Sequence, residues 1–261
     1  MTLDDRTIDD IAASLYEAYR SGEPVAKLTD EYDFDVSDAY AIQSRVVDSH
    51  VADGASVVGH KVGLTSEGIQ TQLGVDEPDF GRLLDTMFVE EGAVPAGDLI
   101  EPRVEPEVGF LMAETLEPPV TYLDVLEATR GVLPVLEIID SRVREWDIDI
   151  EDTVADNASS ALYLTGETLT PVDGLDLSLE AVKLYRNGTV ADAGVGSAVL
   201  GHPARAVAWL ANTLDEMDQR IEAGNLVLSG SLTPALDIEA GDVLTAEFTS
   251  IGSVTTRVGE N

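Results

Sequence analysis

The chain has 261 residues, of which 50 are acidic and 15 are basic, and its formal net charge is −35. A charge this negative disfavours nucleic acid and anionic membranes as partners, because their phosphates would be repelled. Cysteine is absent, so thiol nucleophiles, disulfides and cysteine-ligated zinc are excluded.

Two amphipathic helices are predicted at the N-terminal end. Apolar residues recur at helical spacing over residues 7–21. A second helix is predicted over residues 37–53, with Ser37 as its N-cap. We expect these helices to form a cap, residues 1–55, on a main domain that is one structural unit over residues 56–261.

From about residue 56 the pattern changes to short strands separated by Gly and Pro. The predicted strands are 56–62, 99–112, 133–139, 158–165, 180–186, 226–228 and 243–248. Helices are predicted at 121–130 and 203–216, and Asn187-Gly188 is typical of a hairpin turn. Together these elements predict an α+β fold that is rich in β-structure.

Three glutamates form a candidate metal site. Side chains on a strand alternate between two faces, so Glu105 and Glu107 lie on one face and Val104 and Val108 lie on the other. Glu137 is the single charge inside an apolar run that reads as a buried strand, and a buried carboxylate needs a partner. Three carboxylates without cysteine or clustered histidine suit Mg²⁺ or Mn²⁺ rather than zinc. An acidic chain also produces solvated Glu-x-Glu pairs by chance, but that interpretation does not explain Glu137.

Lys61 is a second candidate for the site. It lies between Gly59 and Gly63 on a predicted strand, and the chain has only two other lysines, Lys27 and Lys183. We interpret scarce lysine with abundant acid as adaptation to a cytoplasm of very high salt, as in an extreme halophile. A chain that has so few lysines on its surface is expected to keep one where a charge is needed, and lysine shifts its pKa readily near other groups.

Several motifs occur in the same order as in a known family. They are Gly-His-Lys-Val-Gly-Leu-Thr-Ser (59–66), Gln-Leu-Gly-Val-Asp-Glu-Pro-Asp-Phe-Gly (72–81), Glu-Pro-Arg-Val-Glu-Pro-Glu (101–107), Leu-Glu-Ile-Ile-Asp-Ser-Arg (136–142), Ala-Asp-Asn-Ala-Ser-Ser (155–160), Leu-Gly-His-Pro (200–203) and Leu-Ser-Gly-Ser-Leu-Thr (228–233). With these motifs, from about residue 40 onwards, the chain resembles the 2-keto-4-pentenoate hydratases of the fumarylacetoacetate hydrolase superfamily. The resemblance implies a mixed β-sheet roll with an N-terminal helical cap.

The resemblance also implies roles for particular residues. Glu105, Glu107 and Glu137 correspond to the metal ligands, Lys61 to the catalytic lysine, and Asp79 to a catalytic acid that holds or activates water. Substrate contacts are implied for Leu64, Thr65, Ser160, Ser231, Leu232 and Thr233. From the residues alone, Asp79 could be a turn residue after Pro78, and Ser160 could equally be an ordinary helix-capping or strand serine. His60 departs from the family pattern, so we expect a neighbour of the lysine there rather than an acid or base.

The reaction implied is that of a lyase. A metal-dependent hydratase of this kind would convert 2-hydroxypenta-2,4-dienoate into 4-hydroxy-2-oxopentanoate in the meta-cleavage catabolism of aromatic compounds, with Lys61 and Asp79 as candidates for proton transfer. Decarboxylation of 2-oxo-3-hexenedioate and hydration of 2-oxohept-4-ene-1,7-dioate are alternatives. Both need a cation for a second carboxylate, and Arg82, Arg142 and Arg144 are candidates.

Two further alternatives stay open. Hydrolysis of a C–C bond in this superfamily relies on a His–Glu pair near the metal, and His50, His60 and His202 are not in an obvious version of it. The chain could also be a non-catalytic partner of a hydratase or decarboxylase complex. The resemblance implies a homo-oligomer, for example a decamer, and a possible complex with a pathway decarboxylase or aldolase. No stretch reaches the roughly 18 apolar residues of a membrane helix and no signal segment is evident, so we expect a cytoplasmic protein.

Overall fold

The computed structural model describes residues 3–66, 68, 70–71, 74–90 and 93–259. The first two residues of the motif over 72–81, the first two residues of the predicted cap and the last two of the predicted main domain lie outside the described residues. The helices are α1 (Asp5–Ser21), α2 (Leu28–Glu31), α3 (Val36–Ala52), α4 (Tyr122–Ala128), α5 (Ile150–Ala155) and α6 (Pro203–Asp215). The strands are β1 (Val57–Gly63), β2 (Asp79–Leu84), β3 (Ala93–Val94), β4 (Arg103–Met112), β5 (Thr129–Ile139), β6 (Ser160–Thr165), β7 (Ala181–Arg186), β8 (Thr189–Val195), β9 (Leu226–Ser231), β10 (Leu236–Asp237), β11 (Val243–Phe248) and β12 (Ser253–Val258).

The N-terminal helices form at the predicted places. The side chain of Asp4 caps α1 by accepting a hydrogen bond from the backbone of Thr7. Helix α3 begins one residue earlier than predicted, and its N-cap is Asp35 rather than Ser37. Asp35 takes this role because its carboxylate accepts hydrogen bonds from the backbone N–H groups of Ser37 and Asp38.

Helices α1 and α3 share one hydrophobic cluster, which includes Ile11, Leu15 and Ile42 and extends to Val154 of α5. The amide of Gln43 on α3 donates hydrogen bonds to the carbonyls of Phe80 and Val154. The helices are therefore joined both to the sheet and to the segment after β5. The division of the chain at residue 55 stays a prediction.

Two β-sheets enclose the main core. The larger sheet has the order β2-β1-β9-β4-β5-β6, with β10 paired to β4, and the smaller has the order β3-β12-β11-β7-β8. Fully buried side chains from both sheets, such as Phe110, Leu136, Leu184 and Leu244, belong to one cluster. This arrangement is an α+β fold, as predicted.

The structure corrects several strand boundaries. Strand β4 starts at Arg103 rather than residue 99, because the backbone N–H groups of Ile100 and Glu101 donate to the carboxylate of Asp140 and not to a neighbouring strand. Strand β5 starts earlier than predicted, at Thr129, whereas β6 starts later, at Ser160. Strand β2 was not predicted as a strand at all, because Pro-Asp-Phe-Gly is typical of a turn. Within the described residues, no helix is long and apolar enough to cross a membrane.

Candidate metal centre and active site

Antiparallel pairing of β4 with β5 brings the three predicted glutamates together. Glu105 lies directly opposite Glu137 in the register, and Glu107 is the next residue on the same face of β4. One carboxylate oxygen from each residue lies within 4.8 Å of the others. Glu107 and Glu137 are fully buried and Glu105 is partly buried. The cluster is therefore an enclosed group of like charges in the middle of the larger sheet.

Such a cluster is costly unless something neutralises it. Burial raises the pKa of Glu105 to about 7. Burial also raises the pKa of Glu107, and the negative charges of Glu137 and Glu105 raise it further. The free energy cost of ionising these carboxylates without a counter-charge is the physical reason to expect a cation.

The donor atoms fit a hard divalent ion. Oε2 of Glu137 is buried and has no hydrogen-bond partner among the described residues. Its Oε1 accepts a hydrogen bond of 2.9 Å from Ser160 Oγ, and Oε2 of Glu107 accepts one of 2.7 Å from the backbone of Gly230. These bonds orient two of the carboxylates and leave oxygens free, which is the arrangement of a metal site with a supporting hydrogen-bond shell. The cluster can therefore hold a divalent metal ion through oxygen ligands.

Lys61 lies beside this cluster on β1. Its Nζ is 3.6 Å from Oε2 of Glu137 and donates a hydrogen bond of 3.0 Å to the carbonyl of Ala158. Burial alone would lower the pKa of Lys61, but the carboxylates of Glu137, Asp79, Glu105 and Glu107 outweigh it, and the pKa lies above its ordinary value. In the absence of a metal ion, Lys61 is thus a buried ammonium group that partly neutralises the glutamates.

Asp79 is on the same face as Lys61. It opens β2 and lies opposite Gly63 in the register, while Lys61 lies opposite Gly81. A Cβ atom at Gly63 would come within 2.2 Å of Asp79 Oδ1, so a glycine at this position makes room for the carboxylate. Asp79 is buried, neither of its oxygens has a hydrogen-bond partner among the described residues, and burial raises its pKa while Lys61 opposes the rise. A buried carboxylate with two free oxygens is suited to accept a proton from water.

The remaining predicted contacts lie on two segments beside the cluster. Ser231 lies opposite Glu107 where β9 pairs with β4, and its hydroxyl is bonded to the carbonyl of Thr233. The backbone N–H of Leu232 donates to the carbonyl of Pro106, between the two glutamates of β4.

The other segment follows β1. Leu64 has a left-handed backbone with φ 55°, and the next residue, Thr65, packs against Gly230. A Cβ atom at Gly230, whose φ is 106°, would lie 2.3 Å from Thr65 Oγ1. Glycine is therefore required where β9 approaches this segment. The role of these residues in holding substrate stays a prediction.

Other polar residues that the sequence put forward have different surroundings. His60 is buried on the opposite face of β1, opposite Arg82 in the register. Burial and Arg82 lower the pKa of His60 to about 3, so it is a neutral side chain away from the carboxylates. Arg82 donates to the amides of Gln43 and Gln219, and Arg144 is bonded to the carbonyl of Pro24.

Arg142 is also fully engaged. Its guanidinium pairs with the carboxylate of Asp156 at 2.5 Å and donates to the carbonyls of Asp140, Asp156 and Ser160. Arg82 and Arg142 are thus buried and held by internal hydrogen bonds, whereas Arg144 is exposed. Arg103, which shares the face of Glu105, is stacked on Trp146 at 4.2 Å and paired with Asp237 at 2.9 Å.

The sequence did not reveal the turn that accepts the hydrogen bond of Lys61. Asn157, Ala158 and Ser159 are consecutive left-handed residues with φ values of 52°, 51° and 54°. For residues other than glycine this conformation costs about 1–2 kcal/mol each. Ala and Ser carry no local signal for such a backbone, and the asparagine is the one residue of the three that favours it.

A surface concavity lies away from this site. It has a volume of about 610 Å³ and is lined by Thr86, Phe88, Val89, Glu90, Pro95 and Leu162. Neither the glutamate cluster nor Lys61 contributes to it. The charged groups with shifted pKa values, and not this concavity, therefore mark the candidate site.

Comparisons with known proteins identify the family. A family model described as fumarylacetoacetate (FAA) hydrolase C-terminal matches residues 50–259. The 2-keto-4-pentenoate hydratase of Paraburkholderia xenovorans is 46% identical over 257 residues, which cover 97% of this chain and 95% of that enzyme. The 2-hydroxyhexa-2,4-dienoate hydratase of Comamonas testosteroni is 46% identical over 244 residues, with 92% of each chain covered.

A solved structure is also closely similar. The 4-oxalocrotonate decarboxylase from Pseudomonas putida G7, complexed with magnesium and adipate, gives a TM-score of 0.95 at 35% identity, covering 98% of this chain and 99% of that chain. The chain therefore belongs to the fumarylacetoacetate hydrolase superfamily and, within it, to the family of the 2-keto-4-pentenoate hydratases. This confirms the family that the ordered motifs predicted.

Proposed function

We propose that this enzyme is a hydro-lyase that adds water to 2-hydroxypenta-2,4-dienoate and releases 4-hydroxy-2-oxopentanoate. The observation that carries the proposal is the convergence of a buried lysine, a buried aspartate and three glutamates on one face of the larger sheet. The similarity to hydratases over nearly the whole chain supports the same reaction.

The glutamates would hold Mg²⁺ or Mn²⁺, and a bound divalent ion supplies Lewis-acid stabilisation of negative charge on the substrate's oxygens. The side chains of the protein would bind the substrate and transfer protons. Lys61 has three donors on its ammonium group, two of which remain after the bond to Ala158, so it can hold the substrate's enol or carboxylate oxygen and exchange a proton with it.

The hydration needs two proton movements at carbon. The enol loses its O–H proton and C5 gains one, which leaves an α,β-unsaturated ketone; water then adds at C4 and C3 gains a proton. Asp79 is suited to take the proton from that water, because its buried carboxylate has a raised pKa and two free oxygens. Lys61, close to the same carboxylate, is suited to exchange protons with the enol.

The roles of Lys61 and Asp79 are tested by substitution, with the third lysine as a matched control. Lys61→Ala and Asp79→Asn should each lower kcat for loss of the dienol by roughly 100-fold or more, the usual range for a general acid or base. Lys183 is exposed on β7, so Lys183→Ala should behave as the wild type. If Lys61→Ala retained turnover within a few-fold of wild type, the assignment would be wrong.

Decarboxylation of 2-oxo-3-hexenedioate is the second candidate, because the similar solved decarboxylase covers the whole fold. Arg82 and Arg142 are buried and bonded to other groups, so neither is available for a second substrate carboxylate. This favours a substrate with a single carboxylate. Release of CO₂ from the diacid, measured beside dienol hydration, separates the two.

We also propose the broader features that the composition and family imply. They are a ring-like homo-oligomer such as a decamer, association with a pathway decarboxylase or aldolase, and adaptation to high salt. The acidic side chains at the start of α1, Asp5, Asp9 and Asp10, are exposed, as a halophilic surface requires. Sedimentation in multimolar KCl would test the oligomer and the salt requirement together.

A further inference from the structure

The left-handed turn Asn157–Ser159 lies between the two groups on which the proposed chemistry depends. The carbonyl of Ala158 accepts the hydrogen bond of Lys61, and the residue that follows the turn, Ser160, donates its hydroxyl to Glu137. One short segment thus sets the position of the buried ammonium and the orientation of a glutamate. From this juxtaposition we infer that Asn157 is a positioning residue, which holds Lys61 in place through the turn.

The asparagine side chain fastens the turn to β2. Its Oδ1 accepts a hydrogen bond of 2.8 Å from the backbone N–H of Arg82, and its Nδ2 donates one of 2.9 Å to the carbonyl of the same residue. The amide therefore pairs with β2 as another strand would. Asn157 is buried, so no solvent is at hand to replace either bond.

The sheet is shaped to receive the turn at this point. Gly81 lies directly opposite Lys61 in the register and faces Asn157. A Cβ atom at Gly81 would lie 2.4 Å from the backbone carbonyl oxygen of Asn157. Glycine thus permits a backbone approach that any other residue would block.

The other end of the turn is held from outside the sheet. The backbone of Asp140 donates to the carbonyl of Ser159, and the guanidinium of Arg142 binds the carbonyls of Asp156 and Ser160 that flank the turn. A left-handed backbone at three successive residues persists only where its surroundings over-determine it. Here those surroundings are these bonds together with the asparagine amide.

The inference rests on the proposed catalytic role of Lys61, but the position of the lysine can be measured without any reaction. The chain has only three lysines, so acetylation by acetic anhydride followed by peptide mass spectrometry gives a labelling rate for each of them. Lys61 is buried and Lys183 is exposed, so Lys183 serves as the internal reference in every sample. The labelling is done in EDTA, and kcat and KM for the dienol are measured separately.

Two substitutions separate the effect of the Asn157 side-chain hydrogen bonds from the effect of its backbone conformation. Asn157→Ala removes both side-chain bonds and disfavours the left-handed backbone, whereas Asn157→Gly removes the bonds but adopts that backbone freely. Both should raise the labelling rate of Lys61 roughly tenfold or more and lower kcat by a similar factor, with KM changed little, because small displacements of a catalytic group are costly. Asn187 is a matched control: it is left-handed with φ 55°, its side chain bonds to Asp242 and Val243, and it lies in an exposed hairpin. Asn187→Ala should change neither quantity.

Unchanged labelling of Lys61 in a folded Asn157→Gly protein would overturn the inference. Faster labelling of Lys61 in Asn157→Gly with an unchanged kcat would support the inference that the turn positions Lys61. The same result would refute the proposed catalytic role of Lys61. If the Asn157 variants do not fold, Gly81→Ala displaces the turn from the opposite side, and the same rise in Lys61 labelling is expected. A folded Gly81→Ala protein with wild-type labelling and kcat would also overturn the inference.

Discussion

Glu107→Gln should stabilise the metal-free protein while abolishing its response to metal. Glutamine has nearly the same shape as glutamate, and its Oε1 can still accept the hydrogen bond from Gly230. The substitution removes one of three carboxylates that lie within 4.8 Å of one another. At 4.8 Å two unit charges repel by about 3.5 kcal/mol for an effective dielectric constant of about 20. Partial protonation and Lys61 relieve some of this repulsion, so we expect a gain of about 1–2 kcal/mol at pH 8.

The assay is thermal unfolding at pH 8 in multimolar KCl, first with EDTA and then with saturating Mg²⁺. For a chain of this size a gain of 1 kcal/mol corresponds to about 2–4 °C in Tm. In the wild type a metal at 100 times its Kd should add about 2.7 kcal/mol, and in Glu107→Gln this increase should be lost. Glu101→Gln is the matched control, because that side chain is exposed and the residue bonds through its backbone. A metal-free Glu107→Gln protein that is less stable than wild type, or one with a full metal response, would refute the reasoning.

Three further predictions follow from the same contacts. Burial raises the pKa of Glu105 from 4.5 to about 7, so the metal-free fold should lose stability as the pH rises from about 4.5 to 7. Metal binding requires the ionised carboxylate, so metal affinity, measured by calorimetric titration, should fall as the pH drops from about 8 to 6. Ser160→Ala removes the hydroxyl that orients Glu137 and should weaken metal binding about 10–100-fold in the same titration; an unchanged Kd would contradict this. Gly230→Ala places a Cβ atom 2.3 Å from Thr65 Oγ1 at a residue whose φ is 106°. It should lower the free energy of unfolding, measured by denaturant titration, by about 2 kcal/mol or more. A decrease under about 0.5 kcal/mol would contradict this prediction.

The sequence marks each of the three glutamates individually, because the signals for each of them are local. Alternation on β4 put Glu105 and Glu107 on one face, and the isolated charge in the apolar β5 marked Glu137. Their meeting depends on the pairing of the two strands, which no local pattern specifies; the ordered motifs supplied that information. The same motifs implied a role for Asp79, whose strand the sequence did not predict because the preceding proline is typical of a turn.

What could not be predicted depends on long-range contacts. The backbone of Ala158 and Ser159 is left-handed because bonds from distant segments hold it, and neither residue type favours that conformation. The sequence does not predict where the side chains of Arg82 and Arg142 point, because tertiary packing determines their contacts with Gln219 and Asp156. Ser37 was mistaken for a cap because Asp35, two residues earlier, is an equally good one.

We propose above that the glutamates, Lys61 and Asp79 form a metal-dependent hydratase site. The most direct test is the ultraviolet loss of enzymatically generated 2-hydroxypenta-2,4-dienoate by the wild-type protein in multimolar KCl, with Mg²⁺ or Mn²⁺ and with EDTA, with identification of the product. We predict metal-dependent conversion to 4-hydroxy-2-oxopentanoate and no CO₂ from 2-oxo-3-hexenedioate. Conversion that is unaffected by EDTA, or CO₂ release from the diacid with little hydration of the dienol, would contradict the account.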